Sequence, residues 1–136
     1  MDRIKYRATG IIFMTTIAVS LVLAQPDEII INNTDVFEHK QRAPVTFPHG
    51  LHMMGGLSCK DCHHVYRDGK NVLDESELTD GNQNIRCSHC HALKSDGGRY
   101  GLMDAFHRQC MGCHGRVARK GQKSGPRLCG RCHPWK

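Results

Sequence analysis

Eight cysteines stand in four pairs of identical spacing, and a histidine follows each pair: Cys59-Lys60-Asp61-Cys62-His63, Cys87-Ser88-His89-Cys90-His91, Cys110-Met111-Gly112-Cys113-His114 and Cys129-Gly130-Arg131-Cys132-His133. No cysteine falls outside the pattern. Two thiols three residues apart can reach the two vinyl groups on one edge of a haem and become thioethers, and the next histidine is then set under the iron as its proximal ligand. With ten histidines in 136 residues, four such coincidences have a chance on the order of 3 in 100,000, so the histidines belong to the motif. Zinc needs four ligands per ion and gives no reason for a histidine after every second cysteine. Disulfides within each motif would close very tight loops four times over, and pairings between motifs would leave the histidines unexplained. A thioredoxin-like motif needs a βαβ setting, and no such alternation of strands and helices is visible. The spacing therefore points to four haem c groups, each with its iron, tethered by Cys59, Cys62, Cys87, Cys90, Cys110, Cys113, Cys129 and Cys132, with His63, His91, His114 and His133 as proximal ligands.

Six histidines remain for the far sides of four irons: His39, His49, His52, His64, His89 and His107. The outcome separates two classes of function. An iron with an open position can bind and reduce a small molecule or metal ion, whereas one closed by two histidines has no vacancy and passes electrons only. His89 lies between the two cysteines of its own motif and cannot reach that iron's far face. His39, in a polar stretch, reads as a surface residue. Met53, Met54, Met103 and Met111 could supply a thioether ligand, but read better as packing against porphyrin faces.

The segment Val45-Thr46-Phe47-Pro48-His49-Gly50-Leu51-His52, the doubled histidine of Cys62-His63-His64, and Phe106-His107 ahead of Cys110 together resemble the tetrahaem cytochrome c3 family, the class III cytochromes of sulfate-reducing bacteria. The likeness covers roughly Pro44 to His133. It implies an electron carrier rather than an enzyme, in a multihaem cytochrome fold, with His49, His64, His52 and His107 as distal ligands to the first, second, third and fourth haems. Many members space the second and fourth cysteine pairs as Cys-x4-Cys-His, while all four here are Cys-x2-Cys-His. That compact spacing looks more like the type II members, which serve membrane redox complexes. The resemblance also implies redox partners: a hydrogenase, other multihaem cytochromes and a membrane quinone-linked complex.

The elements that must position these residues are slight. After residue 24 the chain is polar, with glycines throughout and few long apolar runs, so the porphyrins must supply the missing apolar surface. The expected architecture is mostly irregular chain with short α-helices at the motifs and a small two-stranded β element from Ile29–Ile31 and Val45–Phe47, wrapped round a four-haem core. Gly101–His114 is the best helix, with Leu102, Ala105, Phe106 and His107 sharing a face. Asp74–Asn84 reads as a solvated, turn-rich acidic loop.

Residues 1–24 read as a secretory signal. Arg3, Lys5 and Arg7 outweigh Asp2, and Ala8 to Ala24 carries no charge. That run falls short of the roughly 20 residues that span a bilayer comfortably, and it ends in Val22-Leu23-Ala24, small residues at the positions a signal peptidase reads. Cleavage before Gln25 would leave residues 25–136 as one tetrahaem domain in the periplasm. An uncleaved anchor facing the periplasm, and with it a subunit of a membrane redox complex, is the alternative.

The formal charge of +6 overstates the basicity of the holoprotein. Losing residues 1–24 removes two net positive charges, and four haems add about −8 from propionates against one net positive charge per ferric haem. Distribution says more, because no acidic residue follows Asp104 while eight basic ones lie from Arg108 onward. Export, haems and scarce aromatics argue against nucleic acid. The basic tail reads either as neutralising propionates or as a docking face for an acidic redox partner, with Arg119, Lys120 and Lys123 at its centre. The resemblance points to docking, since family members present a lysine patch near the fourth haem to hydrogenase.

Overall fold

The computed structural model describes residues 26–135, so the signal segment expected over 1–24 lies outside the described residues. Strand β1 (Ile29–Ile31) pairs antiparallel with β2 (Val45–Phe47), Ile29 opposite Phe47 and Ile31 opposite Val45, as the β-branched runs predict. Pro48 ends β2 and leads into helix α1 (His49–Met54). The amide of Gly50 donates to the carbonyl of Asp27 at 2.9 Å, so the ladder holds α1 at a fixed angle.

A 3₁₀ turn (Cys59–Asp61) carries the first motif, its start held by the Ser58 amide on the Asp61 carboxylate at 2.8 Å. A second hairpin follows, β3 (Tyr66–Arg67) against β4 (Lys70–Asn71). Asp68 and Gly69 have φ of 49° and 74°, the pair of left-handed residues that a two-residue type I′ turn requires. Two further 3₁₀ turns (Glu75–Glu77 and Gln83–Ile85) are capped by the side chains of Asp74 and Asn82. Helices α2 (Cys87–Cys90) and α4 (Cys129–Cys132) are single turns that coincide with motifs.

Helix α3 (Leu102–Arg119) is the long element, and it runs beyond the expected end at His114. Arg116 and Arg119 complement the negative end of the helix dipole, and the left-handed Gly121 (φ 72°) then stops it. Only Leu73, Leu78 and Leu102 are buried apolar residues among those described. The charged residues of Asp74–Asn84 are exposed as expected, yet the loop also buries Leu78. No helix among the described residues is long and apolar enough to cross a membrane. The architecture is therefore mostly irregular chain with small sheets and short helices around very little protein core.

Candidate functional site

In each motif the chain makes a helical turn, which carries residues i, i+3 and i+4 to one face. The amides of His63, His91 and His133 donate to the carbonyls of Cys59, Cys87 and Cys129 at 2.8, 2.9 and 2.7 Å. The third motif lies inside α3. Every motif thus offers two thiols and an imidazole side by side, the arrangement a porphyrin edge and its iron require. No two of the eight cysteines are joined in a disulfide. Among the described residues no group of three His, Cys, Asp or Glu is placed to hold a bare metal ion.

Three of the four histidine pairs assigned by the resemblance lie ring beside ring. Ring centroids lie 6.1 Å apart for His52 and His114, 6.0 Å for His64 and His91, and 6.3 Å for His107 and His133. Two imidazoles ligating one metal from opposite sides, at about 2.0 Å per bond, place their centroids about 6.3 Å apart. These three gaps fit an iron between each pair. His49 and His63 lie close enough for their charges to interact.

Seven of these eight rings are also held from behind. Nδ1–H of His49 donates to Pro26 (3.2 Å), His52 to Pro48 (2.8 Å), His64 to Cys62 (3.2 Å) and His91 to Tyr100 (2.9 Å), all through backbone carbonyls. His107 donates to Met103 (2.8 Å), His114 to Pro126 (2.8 Å) and His133 to Ala43 (2.6 Å). A carbonyl can only accept, so the proton sits on Nδ1 and the lone pair of Nε2 is left for a metal. Burial first, and then the imidazoles of His49 and His64, hold His63 below the ordinary histidine range, which keeps it in the neutral form that ligates.

The four attachment points converge on α3. Burial pushes the Cys110 thiol up to about 11, and Cys62, Cys132, Cys87 and Cys113 add to the shift. Cys110 is therefore within electrostatic reach of a thiol from each of the other motifs. Gln109 ties the third motif to the first, its Nε2 donating to the Asp61 carbonyl at 2.6 Å.

Two positions outside the motifs shape the site: Phe47, which the sequence marks only as part of a strand and of the family-like segment, and Gly125, which it does not mark at all. Phe47 lies 4.6 Å from the His52 ring and 6.0 Å from the His49 ring, so it packs against histidines that the resemblance assigns to two different haems. Gly125 has no room for a side chain, since an added Cβ would run into the His114 ring that Pro126 already anchors. Gly125→Ala is expected to cost about 1–3 kcal/mol, as overpacking does, and to move His114, which denaturation of the haem-loaded protein and its ferric spectrum would report.

The remaining expectations sort simply. His39 and His89 are exposed, as expected. Met53, Met54, Met103 and Met111 are exposed. Arg119, Lys120 and Lys123 are exposed at the end of α3 and in the turn that follows.

Comparison with known proteins places these features in context. The family model of class III cytochrome c matches residues 26–133. Cytochrome c3 of Maridesulfovibrio salexigens is 34% identical over 104 residues, covering 70% of this chain and 82% of that protein. The high-molecular-weight cytochrome c of Nitratidesulfovibrio vulgaris is 35% identical over 86 residues, 61% of this chain and 13% of that one. The crystal structure of high-molecular-weight cytochrome c from Desulfovibrio vulgaris (Miyazaki F), in the presence of zinc ion, superposes with a TM-score of 0.51 at 26% identity, over 81% of this chain and 20% of that chain. The chain thus spans only a small part of the high-molecular-weight proteins and most of the cytochrome c3.

Proposed function

The chain belongs to the class III cytochrome c family, whose members are multihaem electron-transfer proteins, and from that premise we propose that it relays electrons through four covalently bound haem c groups, each held between two histidines. The observation that carries this reading is the set of three histidine pairs at 6.0–6.3 Å, each joining a motif histidine to one from elsewhere in the chain. Haem c supplies a reversible one-electron couple at its iron. The chain's part is to tether and close the site. Cys59 and Cys62, Cys87 and Cys90, Cys110 and Cys113, and Cys129 and Cys132 bind the porphyrin edges. His63 with His49, His91 with His64, His114 with His52 and His133 with His107 would hold the four irons, which would leave no open ligand position for a substrate and make the chemistry outer-sphere electron transfer. Convergence of the four motifs near Cys110 supports short steps from haem to haem.

Low-temperature EPR of the oxidised, haem-loaded protein tests the ligation. Four low-spin signals are expected, and the ring planes, at 29° for His52 and His114, 51° for His107 and His133 and 82° for His64 and His91, make three of them distinguishable. A high-spin signal would overturn the closed-site reading and make reduction of a small substrate at that iron the better one.

We further infer that residues 1–24 direct export and are removed, so that the carrier works in the periplasm between a hydrogenase or another cytochrome and a membrane quinone-linked complex. Arg119, Lys120 and Lys123 are the proposed docking face for an acidic partner, supported by their exposure and by the acid-free sequence around them. Changing all three to glutamine is expected to lower the association rate at low ionic strength by about tenfold or more and to flatten its salt dependence. Stopped-flow reduction by the partner across a salt series reads both, and an unchanged slope would remove these residues from the docking face.

A further inference from the structure

The doubled histidine poses a geometric problem, because two adjacent side chains must serve two different irons. His63 stands in the first motif, while His64 faces His91 of the second at 6.0 Å. Consecutive residues diverge in this way only if the backbone between them is held in one conformation. The peptide groups that define that conformation are the carbonyl of His63 and the amide of Val65, one on each side of His64.

Both are held by a single side chain. The Oδ1 of Asn71 accepts from the amides of Val65 at 3.0 Å and Leu73 at 3.2 Å. Its Nδ2 donates to the carbonyls of His63 at 3.0 Å and Lys60 at 3.4 Å. An asparagine amide has two acceptor positions and two donor hydrogens, so every one is used. The partners also decide the orientation of the amide, since two N–H groups need the oxygen and two carbonyls need the nitrogen. The β3–β4 hairpin delivers Asn71 to this spot, pairing it with Tyr66 through the Asp68-Gly69 turn.

We propose that Asn71 is the positioning residue for the first two haems, clamping the peptide groups on either side of His64 so that His63 and His64 point to separate irons. This rests on the ligand assignment proposed above. Asn71 touches neither iron nor porphyrin in this scheme and acts through the two histidines. The acceptor half of its amide frames the hairpin, and the donor half fixes the His63 carbonyl.

Two variants of the holoprotein separate these halves. Asn71→Ala removes all four hydrogen bonds, and in the fully reduced, diamagnetic protein the amides of Val65 and Leu73 are expected to exchange with solvent about tenfold faster. In the oxidised protein the EPR signals of two haems should shift while the other two keep their wild-type g values. Asn71→Asp keeps the acceptor and sets a second oxygen against the two carbonyls. The Val65 and Leu73 amides should then stay protected to within about threefold of wild type, while the same two EPR signals still move. Four unchanged EPR signals in Asn71→Ala would overturn the proposal, as would a shift common to all four, which denotes a general loss of structure. Failure of the ligand assignment shows separately, as a wild-type spectrum without four low-spin signals.

Discussion

Replacing His52 with methionine should raise the potential of one haem by on the order of 0.1–0.3 V and leave the other three close to their wild-type values. The thioether is a weaker donor than imidazole and favours the ferrous iron, so the direction of the shift follows from ligand chemistry. His52 suits the experiment because its surroundings are well defined. Its Nδ1 is anchored on Pro48, its ring packs against Phe47, and it faces His114 at 6.1 Å. Methionine is unbranched and flexible enough to reach across a gap of that size. A potentiometric titration with optical detection should resolve one displaced step out of four. The companion variant His52→Gly empties the position instead, and should turn one low-spin signal into a high-spin one that binds an added exogenous ligand. If neither variant alters any haem, His52 is not a ligand, and the pairing with His114 is coincidental.

The haem-free chain should show no cooperative thermal transition. Three leucines are the only buried apolar side chains among the described residues, whereas side chains such as Ile30, Leu51, Met54, Leu93 and Leu128 are more than half exposed. Domains of this size that fold unaided bury well over half of the surface their unfolded chains expose, and this polypeptide lacks a protein core to do so. The histidine pairs add to the difficulty. Without an iron between them, His52 and His114 or His107 and His133 have no bond to hold them 6 Å apart, and the loops they bridge are free to separate. Attachment and folding are then one event, as in metal-dependent domains. Calorimetry and far-UV circular dichroism of the chain with all eight cysteines changed to alanine would check this. A sharp transition with an enthalpy near the ~60–80 kcal/mol typical of a 100-residue domain would show that the polypeptide folds on its own.

The relation between sequence and site follows from how local each feature is. Cys-x-x-Cys-His closes within five residues, so its one-sided display of thiols and imidazole needs nothing beyond a turn of helix, and the four motifs read directly from spacing. The pairing of Ile29–Ile31 with Val45–Phe47 was equally visible, because both runs are short, β-branched and bounded by polar chain. The β3–β4 hairpin does not show in the sequence although Asp68-Gly69 is a strong turn signal, since strands of two residues carry no alternation to recognise. Helix α3 is legible at its start and not at its end, because glycines at 112 and 115 weaken the helical signal that Arg116 and Arg119 sustain in the structure.

The sequence by itself displays four Cys-x-x-Cys-His motifs, and with them the haem c chemistry of the family and a candidate proximal histidine for each motif, because covalent geometry confines those choices to a few consecutive residues. Which distant groups hold the ligands in place was decided only by the tertiary structure. His133 leans on Ala43, 90 residues away, and Gln109 reaches Asp61 across 48. Gly125 makes room for His114, and Asn71 spends its entire hydrogen-bonding capacity on the backbone around His63 and His64. Neither residue type announces such a role, since glycine and asparagine are ordinary in polar loops. Their roles arise only when chain folding brings an imidazole or a peptide group within contact distance, and no spacing rule along the sequence encodes that approach.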